Sequence, residues 1–486
     1  MVLSCGDRRG FEMIREYKFW IGGKWKTSSQ KLEVINPYNG ETVGGAYSAS
    51  ADDVEEAIAS SVKAFEETRR LPAFRRAEAL RLISEGIAAR REEIAKMITL
   101  ESGKPISDAR GEVNRAVNTF QIAGEEAKRI PGEVIPLDLL AGSEGRVGVA
   151  RRFPVGPVIG ISPFNFPLNL VAHKIAPALA AGNSIILKPA PKTPLTALLL
   201  AEIISTAGLP DGAVNVFFCP NDLAEKIVVD PRMKIFSFTG SAAVGWYLKE
   251  KANKKKVILE LGGNAGVIIH SDADLDYAAK RCLVGAFSYS GQVCISVQRI
   301  FVQEKIYRPF LDLFIPLIQS LKIGDPMDEK TTMGSMVDQK AAERLDGWIQ
   351  EAFSQGAKVL IGGKRSGALL EPTVLTETKP EMEVNRREVF GPLVTVTPYT
   401  RFEDAIQRMN DSPYGLQAGL FTRDIKEIFH AFEEIQVGGL IVNDVPTYRI
   451  DHMPYGGIKE SGFGREGLRY AIEEMTELKF MALNLK

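Results

Sequence analysis

The feature of this sequence that most constrains its fold is a regular alternation of short apolar runs with helical segments after residue 154. Each apolar run has the length of one strand, and the segments between them have helical periodicity. This order predicts a parallel sheet with right-handed crossovers, an architecture typical of nucleotide-binding proteins. The first set of runs comprises Val155–Ile161, Ser184–Leu187, Val214–Phe218, Ile235–Phe238 and Val257–Leu259.

The alternation resumes after residue 264, which indicates a second unit of the same class. Because 486 residues exceed what a single hydrophobic core usually supports, we expect at least two domains, both α/β. The second unit is predicted to contain strands at 266–269, 299–302, 358–361, 393–399, 417–421 and 439–442.

The part of the chain before residue 155 has a different pattern. Residues 17–47 are expected to form short strands and turns, and helices follow up to about residue 128. Residues 131–154 have the pattern of an extended β-hairpin, whose edges need cover that a partner subunit could supply. Residues 1–16 lack the continuous apolar core of a signal peptide, and we expect the first dozen residues to be a disordered extension.

Composition argues against several classes of protein. The 60 basic and 61 acidic residues nearly cancel, unlike the basic surface of a nucleic-acid-binding protein. The four cysteines and four histidines are scattered, so neither a disulfide framework nor a metal site is expected. No apolar run approaches the roughly 18 residues of a membrane helix. We therefore expect a cytoplasmic protein.

Cys294 lies at the centre of a segment of small and polar residues, Phe287–Ser296. Gly291 in this segment would let the backbone approach a ligand closely. A lone cysteine is often no more than a small buried apolar residue. No charged residue lies between Gly285 and Gln298, so any activation of the thiol must come from residues distant in sequence.

Two segments are candidates for binding a phosphate. Gly462–Gly467 matches GxGxxG by letter, but it follows a polar segment rather than a strand, so the match is weak. Phe238–Gly245 leaves a predicted strand and opens a helix. There Gly240 permits a tight turn, and Ser241 could cap the helix and bind a phosphate. An ordinary capped turn would have the same pattern.

Polar residues follow three other predicted strands. In an open α/β sheet, ligands bind beyond the carboxyl ends of the strands. Lys188 could therefore bind a ribose or a phosphate, the Asn165 amide could donate to an oxyanion, and Glu260 could act as a general base. Taken singly, each also fits a structural role as a solvated lysine, a turn asparagine or a surface glutamate.

Together these motifs resemble the aldehyde dehydrogenase superfamily over roughly residues 18–485. The resemblance implies an oxidoreductase that converts an aldehyde to a carboxylic acid with NAD or NADP. The motifs that carry it, all in the family's order, are Pro163–Pro167, Lys188-Pro189, Phe238–Ser241, Glu260–Gly263, Gly291–Cys294, Glu388–Pro392 and Pro454–Gly462.

By this resemblance Cys294 is the nucleophile, which forms a thiohemiacetal and then a thioester. The Asn165 amide and the backbone N–H of Cys294 would hold the oxyanion, and Glu260 would activate the hydrolytic water. Relatives that transfer the acyl group to coenzyme A lack this glutamate, so a free acid is the expected product. Lys174 and Glu466 resemble positions near the family's proton path.

The resemblance also implies a cofactor site in which two residues bind the riboses, a turn binds the pyrophosphate and an aromatic ring packs by the nicotinamide. NAD-preferring relatives often carry a glutamate three residues after the ribose-binding lysine. Pro191 stands at that position, so both NAD and NADP remain open. The residues implied to bind the riboses are Lys188 and Glu388. The implied pyrophosphate turn contains Gly240 and Ser241, and the implied aromatic ring is that of Phe390.

The expected architecture is thus α/β, with a Rossmann-like NAD(P)-binding domain, a second α/β catalytic domain and an oligomerisation arm. The first domain is assigned to residues 17–130 and 155–262 and the second to 263–474. The arm, formed by a hairpin at 131–154 and a terminal strand within 475–486, implies a homodimer or homotetramer.

The substrate is less constrained than the reaction. Asn443–His452 resembles a subgroup that acts on lactaldehyde or glyceraldehyde 3-phosphate, and succinate semialdehyde is a further candidate. Arg449 could meet an anionic substrate or pair with Asp451 or Asp444 in a surface loop. An idle binding protein would be expected to have lost the nucleophile or base, and an esterase would leave the cofactor positions unexplained.

Overall fold

The computed structural model describes residues 15–486 of the chain. The expected extension in the first dozen residues therefore lies outside the described residues. Within the described part, no helix is long and apolar enough to cross a membrane. The same part contains no group of three or more histidine, cysteine, aspartate or glutamate side chains placed to hold a metal ion.

The N-terminal region consists of short strands followed by helices. The first helix begins where the Ser50 hydroxyl accepts the backbone N–H of Asp53 and the Asp53 carboxylate accepts that of Ser50. This reciprocal cap satisfies N–H groups that would otherwise lack partners. The elements are β1 (Glu16–Tyr17), β2 (Phe19–Ile21), β3 (Lys24–Lys26), β4 (Lys31–Ile35), β5 (Thr42–Tyr47), α1 (Ala51–Thr68), α2 (Ala73–Ala89), α3 (Arg91–Ser102) and α4 (Ile106–Ala127).

The hairpin and the first α/β unit come next. Strands buried on both faces are apolar throughout, which is why these runs lack the alternation of a surface strand. The elements are β6 (Gly132–Pro136), β7 (Arg146–Pro154), β8 (Val158–Ile161), α5 (Asn169–Ala181), β9 (Ile185–Lys188), α6 (Leu195–Ile204), β10 (Val214–Val216), α7 (Asn221–Val229), β11 (Ile235–Thr239), α8 (Ala242–Lys251) and β12 (Lys256–Glu260).

The second unit repeats this pattern with longer insertions. Its elements are β13 (Gly266–Ile269), α9 (Leu275–Phe287), β14 (Arg299–Gln303), α10 (Glu304–Gln319), α11 (Gln339–Ser354), β15 (Lys358–Ile361), β16 (Arg365–Ser366), β17 (Leu369–Leu370), β18 (Thr373–Thr376), α12 (Glu383–Arg386), β19 (Leu393–Tyr399), α13 (Phe402–Asn410), β20 (Tyr414–Gly415), β21 (Gln417–Phe421), α14 (Ile425–Glu434), β22 (Gly439–Val442), β23 (Ile458–Lys459), β24 (Gly462–Phe463), α15 (Leu468–Glu474) and β25 (Thr476–Asn484).

The first sheet has eight strands within the described residues, in the order β24-β12-β11-β8-β9-β10-β2-β3. The strands from β12 to β10 are parallel, as the alternation predicted, and antiparallel strands flank them. Thr239 pairs with Glu260, and Ile161 pairs with Lys188. The carboxyl ends of β8, β9, β11 and β12 therefore meet at one edge, where α/β proteins bind ligands.

The second sheet has the order β15-β18-β19-β14-β13-β21-β22 across residues 358–442 and 266–303. Its strands run parallel except for β15, which pairs antiparallel with β18. Every strand predicted for this unit is present. Two apolar clusters cover its faces, one containing Phe310 and Phe314 and the other Phe402 and Ile406. The predicted two-unit α/β fold is confirmed.

The predicted hairpin and C-terminal strand form a separate small sheet, in the order β25-β7-β6. Strand β25 pairs with β7 along its whole length, from Thr476 to Asn484. Its outer side chains include Leu478, Phe480 and Met481, each more than half exposed. An exposed apolar strand of this kind is suited to contact with another subunit, but the oligomerisation role itself stays a prediction.

The C-terminal end of the predicted catalytic domain belongs in part to the first unit. Strand β24 pairs with β12 of the first sheet, and Leu468, Ile472 and Met475 join the first hydrophobic core. The GxGxxG letters of Gly462–Gly467 thus form an edge strand and a turn, not the strand–turn–helix of a dinucleotide site. The other predicted domain boundaries remain predictions.

Candidate active site

Cys294 lies on the turn between α9 and β14, behind a short 3-10 helix. The backbone there is left-handed at Tyr289, Ser290 and Gly291, with φ values of 47°, 53° and 67°. A Cβ on Gly291 would lie 2.2 Å from the carbonyl oxygen of Gly391. Glycine is therefore required by the close approach of the chain's own backbone, rather than by a ligand as the sequence suggested.

The Cys294 thiol is half-buried, and its Sγ lies 3.3 Å from the Tyr455 hydroxyl. Burial raises the pKa of the thiol to about 11, while the Tyr455 hydrogen bond and the Arg449 charge oppose that rise. The negative charges of Glu388 and Glu260 are also felt at the sulfur and raise its pKa further. As the sequence indicated, every group that acts on this thiol is distant along the chain.

Asn165 is buried in the loop between β8 and α5, with 3% of its surface exposed. Its Nδ2 donates a hydrogen bond to the backbone carbonyl of Gln292, at 3.0 Å. This bond fixes the asparagine against the turn that carries Cys294, and both residues line the same cavity. A second N–H on the same nitrogen is then available to an oxyanion, which is the role that the resemblance implied.

Glu260 ends strand β12 and is 3% exposed. Neither of its carboxylate oxygens has a hydrogen-bond partner among residues 15–486. A Cβ on Gly456 would lie 3.0 Å from Oε1, so the glycine leaves the space beside this oxygen open. Burial, and then repulsion from Glu466, raises the pKa of Glu260 well above 4.5. An unpaired buried carboxylate with a raised pKa suits a general base.

Glu466 is equally buried but has three basic side chains around it. Arg449 Nη2 donates to its Oε2 at 3.0 Å, Lys174 Nζ lies 3.8 Å from Oε1, and His173 Nδ1 lies 3.9 Å from Oε2. Burial alone would raise the pKa of Glu466, but these three partners together lower it. Lys174 also donates to the Thr239 hydroxyl at 2.8 Å, which ties the cluster to β11.

The acidic partner of Arg449 is neither of the two residues that the sequence suggested, Asp451 and Asp444. Arg449 pairs with Glu466 and its side chain is 7% exposed, so it does not lie in a surface loop. Asp451 instead binds His173 and Arg115, each at 2.9 Å. Asp444 binds Arg281 at 2.5 Å, on the other side of the cavity. Arg449 is nevertheless a lining residue of the cavity that contains Cys294.

Of the residues implied to bind riboses, Lys188 is buried and Glu388 is partly buried. Lys188 ends β9 with 4% of its surface exposed, and burial lowers its pKa. Glu388 accepts the backbone N–H of Gly263 at 2.9 Å, and burial raises its pKa to about 7. A Cβ on Gly262 would lie 2.6 Å from Glu388 Oε2, so the two glycines allow the carboxylate to reach the domain junction.

The predicted phosphate turn lies between β11 and α8. Ser241 occupies the N-cap position, but its side chain makes no capping hydrogen bond, contrary to the expected cap. Ser241 is exposed, so both its hydroxyl and the first N–H groups of α8 can meet an anion. Phe390 has a left-handed φ of 48°, and its ring meets that of Phe164 edge-on, 5.8 Å between centroids.

A cavity of about 370 Å³ extends from Cys294 to the surface. Its wall holds three arginines, Arg115, Arg281 and Arg449, together with Tyr455. Sequence reasoning found only one of the arginines, because the other two lie on α4 and α9, helices whose patterns indicated packing alone. It missed the role of Tyr455, which lay inside a recognised motif but is distant in sequence from the cysteine.

Comparison with known proteins shows which family the chain resembles. The aldehyde dehydrogenase family model matches residues 25–481. A 3-sulfolactaldehyde dehydrogenase from Priestia aryabhattai is 46% identical over 473 residues, which cover 97% of this chain and 99% of that protein.

Solved structures match over similar lengths. Aldehyde dehydrogenase 21 from Physcomitrella patens, in complex with the reaction product succinate, has a TM-score of 0.96 and 42% identity, covering 97% of this chain and 99% of that one. Glyceraldehyde-3-phosphate dehydrogenase GapN from Methanocaldococcus jannaschii, complexed with NADP, has a TM-score of 0.90 and 39% identity, covering 94% and 100%. The chain therefore belongs to the aldehyde dehydrogenase family.

Proposed function

We propose that this protein oxidises a small anionic or hydroxy-substituted aldehyde to its carboxylic acid with NAD or NADP, through a thioester on Cys294. The observation that carries the proposal is the convergence of Cys294, Asn165 and Glu260, from three separate parts of the chain, on the arginine-lined cavity and domain junction. Membership of the aldehyde dehydrogenase family supports the reaction class.

In the first half of the reaction, the Cys294 thiolate attacks the carbonyl carbon and forms a thiohemiacetal. The carbonyl oxygen becomes an oxyanion, which the Asn165 Nδ2–H and the Cys294 backbone N–H would stabilise. Loss of one such donor typically slows a reaction about 10²–10³-fold. A bound NAD(P)⁺ would supply the hydride acceptor, and loss of the hydride from this carbon would leave a thioester on the Cys294 sulfur.

In the second half, Glu260 takes a proton from a water molecule, which attacks the thioester carbon. The carbon–sulfur bond breaks, and the carboxylic acid and the thiolate are released. Glu260 must be ionised to act, and its raised pKa makes it a stronger base than an exposed glutamate. The charged group formed by Lys174, Arg449 and Glu466 lies close enough to alter that pKa.

The residues present fit a dinucleotide cofactor. The buried Lys188 ammonium lacks a hydrogen-bonding carboxylate among the described residues, and the exposed Ser241 side chain makes no capping bond. Both groups are thus available to ribose and phosphate oxygens. At Pro191 no carboxylate would repel a 2′-phosphate, and the neighbouring Lys192 pairs with Asp338 at 3.0 Å. NAD or NADP is therefore the proposed cofactor.

The substrate proposal rests on the arginines of the cavity, whose wall also contains Lys104, Asp108 and Glu112. Arg115, Arg281 and Arg449 line it, and guanidinium groups bind carboxylates, phosphates and sulfonates by charge-assisted hydrogen bonds. Relatives bear names that refer to sulfolactaldehyde, lactaldehyde and succinate semialdehyde. We infer that the aldehyde is short, because the cavity holds only about 370 Å³. Glyceraldehyde 3-phosphate is likewise a short anionic aldehyde.

The remaining expectations are also proposals. The arm formed by β6, β7 and β25 would join two or four copies of the chain, because it presents exposed apolar side chains that a second copy could cover. The cytoplasm is the proposed location, from cysteine usage alone.

The test of the proposed function is a panel of aldehydes, each assayed with NAD and with NADP. Lactaldehyde, 3-sulfolactaldehyde, succinate semialdehyde and glyceraldehyde 3-phosphate would be compared by kcat/KM with propanal, which is small and uncharged. We expect at least one of the anionic aldehydes to exceed propanal about tenfold or more, in line with one charge-assisted hydrogen bond. Equal values throughout would contradict the substrate class.

The nucleophile is tested separately. Cys294→Ala should abolish NAD(P)H formation with every aldehyde in the panel. Cys282→Ala removes a fully buried thiol on α9 that does not line the cavity, and it is the matched control. Undiminished turnover in Cys294→Ala would exclude the proposed mechanism.

A further inference from the structure

The Tyr455 hydroxyl contacts the proposed nucleophile directly. It lies 3.3 Å from Cys294 Sγ, within hydrogen-bond distance for a sulfur atom. The tyrosine is 3% exposed, and Cys294 is the one hydrogen-bond partner of its hydroxyl among residues 15–486. A buried tyrosine usually finds a partner for its hydroxyl, and here that partner is the reacting atom.

The tyrosine ring is held in place on two sides. Its backbone exchanges hydrogen bonds with that of Glu466, at 3.0 and 2.7 Å, and the Arg449 guanidinium stacks on the ring, 3.5 Å from its centre. Arg449 is itself fixed by the Glu466 carboxylate. Stacking of a cation on a phenol ring withdraws electron density and makes the hydroxyl a better hydrogen-bond donor.

We propose that Tyr455 is a further catalytic residue, whose hydroxyl donates a hydrogen bond to the Cys294 thiolate and stabilises it for attack. A thiolate has no proton to donate, so in the reactive state the phenol must be the donor. No proton is transferred in this role, and the phenol stays neutral throughout. The inference rests on the proposed function, because it assigns Tyr455 a role toward the same nucleophile.

The electrostatics of the two groups agree with this direction. Burial raises the pKa of Tyr455 well above 10, so the hydroxyl remains protonated at neutral pH and can donate. Burial also raises the pKa of Cys294, and the Tyr455 hydrogen bond is the largest influence that opposes this rise. The turn that carries the cysteine has no charged residue of its own, so this donor supplies stabilisation that local sequence does not.

The experiment measures how fast iodoacetamide alkylates Cys294 at several pH values in the free enzyme, with the modified peptide quantified by mass spectrometry. This readout needs neither aldehyde nor cofactor. Tyr455→Phe removes the hydroxyl and keeps the ring over Arg449. We expect its alkylation rate to fall about three- to tenfold at each pH below the thiol pKa, since fewer molecules are ionised.

Tyr289→Phe is the matched control. Tyr289 is also buried, also lines the cavity, and donates its hydroxyl to the Ser102 carbonyl at 3.2 Å, away from the cysteine. Its loss should leave the alkylation profile of Cys294 unchanged. An unchanged or faster rate in Tyr455→Phe, with circular dichroism like that of the original protein, would overturn the proposal.

A second substitution covers the case in which Tyr455→Phe does not fold. A ring-fluorinated tyrosine at position 455 keeps the shape of the side chain and makes its hydroxyl more acidic and a stronger donor. It should move the alkylation rate in the opposite direction, upward at a given pH; no change would again overturn the proposal. If Cys294→Ala kept aldehyde oxidation, the proposed function would fail instead, and the two failures are thus distinguishable.

Discussion

Two buried carboxylates at the same end of the first sheet have opposite electrostatics. Glu260 closes β12 without a hydrogen bond on either oxygen in the described part of the chain, and its pKa is raised. Glu466 lies in the turn before α15 among Arg449, Lys174 and His173, and its pKa is lowered. Burial is the same for both, so the difference comes from the partners. The comparison supports the proposal that Glu260 is the base and that Glu466 is a fixed charge beside it.

The largest effect should come from removing the unpaired carboxylate. Glu260→Gln keeps the size of the side chain and removes its ability to take a proton from water. We expect thioester hydrolysis to slow about 10²–10⁴-fold, while the first hydride transfer is largely kept. Stopped-flow measurements should then show a burst of NAD(P)H followed by slow turnover. Glu460→Gln, an exposed carboxylate in the same C-terminal segment, is the control. An unchanged steady-state rate would exclude Glu260 as the base.

The next largest effect should come from removing a partner of Glu466, the carboxylate that is paired. Arg449→Met removes the cation bound to Glu466 and leaves a buried charge without its closest partner. Such losses typically cost about 3–5 kcal/mol of unfolding free energy, measurable by denaturant titration. Arg281→Met, which breaks the more exposed pair with Asp444, should cost less than about 1 kcal/mol. If the two variants lost a similar free energy of unfolding, burial would not make one ion pair contribute more to stability than the other.

The position of Glu260 could be predicted from the sequence better than that of Glu466. Glu260 ends a strand before two glycines, so the sheet rule already placed it at the ligand edge. Glu466 was found only through the family resemblance, and its position inside the GxGxxG letters gave no sign of a charge cluster. Its partners Arg449, His173 and Lys174 come from two other segments of the chain.

Other contacts of the site could not be predicted from the sequence for the same reason, because they join segments that are distant along the chain. Short apolar runs predicted most strands of both sheets, because a buried strand is apolar over its own length. Strands β18 and β24 were not predicted. The contact of Tyr455 with Cys294 spans 161 residues, and that of Arg115 with Asp451 spans 336. Such pairs depend on how the two units pack against each other, which no local pattern encodes. Arg115 and Arg281, two of the three arginines of the cavity, were missed for this reason.

A smaller change should move the pH dependence of hydrolysis. Protonated Glu260 cannot act as a base, so the rate of thioester hydrolysis falls as the pH drops through its raised pKa. Glu466→Gln removes the negative charge that helps to raise this pKa, and it frees Arg449 and Lys174 to favour ionised Glu260. Both effects lower the pKa of Glu260. The acid limb should therefore move down by about one pH unit, in single-turnover measurements at several pH values. A shift of the acid limb to higher pH would contradict the proposed effect of Glu466 on the pKa of Glu260.

The smallest effect is expected at His173, which lies on the Glu466 side of the cluster only. Burial, and then the Arg449 charge, lowers the pKa of His173, so the imidazole is neutral near pH 7. A neutral ring adds little to the field at Glu260. His173→Gln can keep a hydrogen bond to Asp451 and should move the acid limb by less than about 0.3 pH units, measured as for Glu466→Gln. A downward shift as large as that of Glu466→Gln would mean that His173 acts on Glu260 through Glu466. The two carboxylates would then be one coupled unit, and the assignment of separate roles would have to be abandoned.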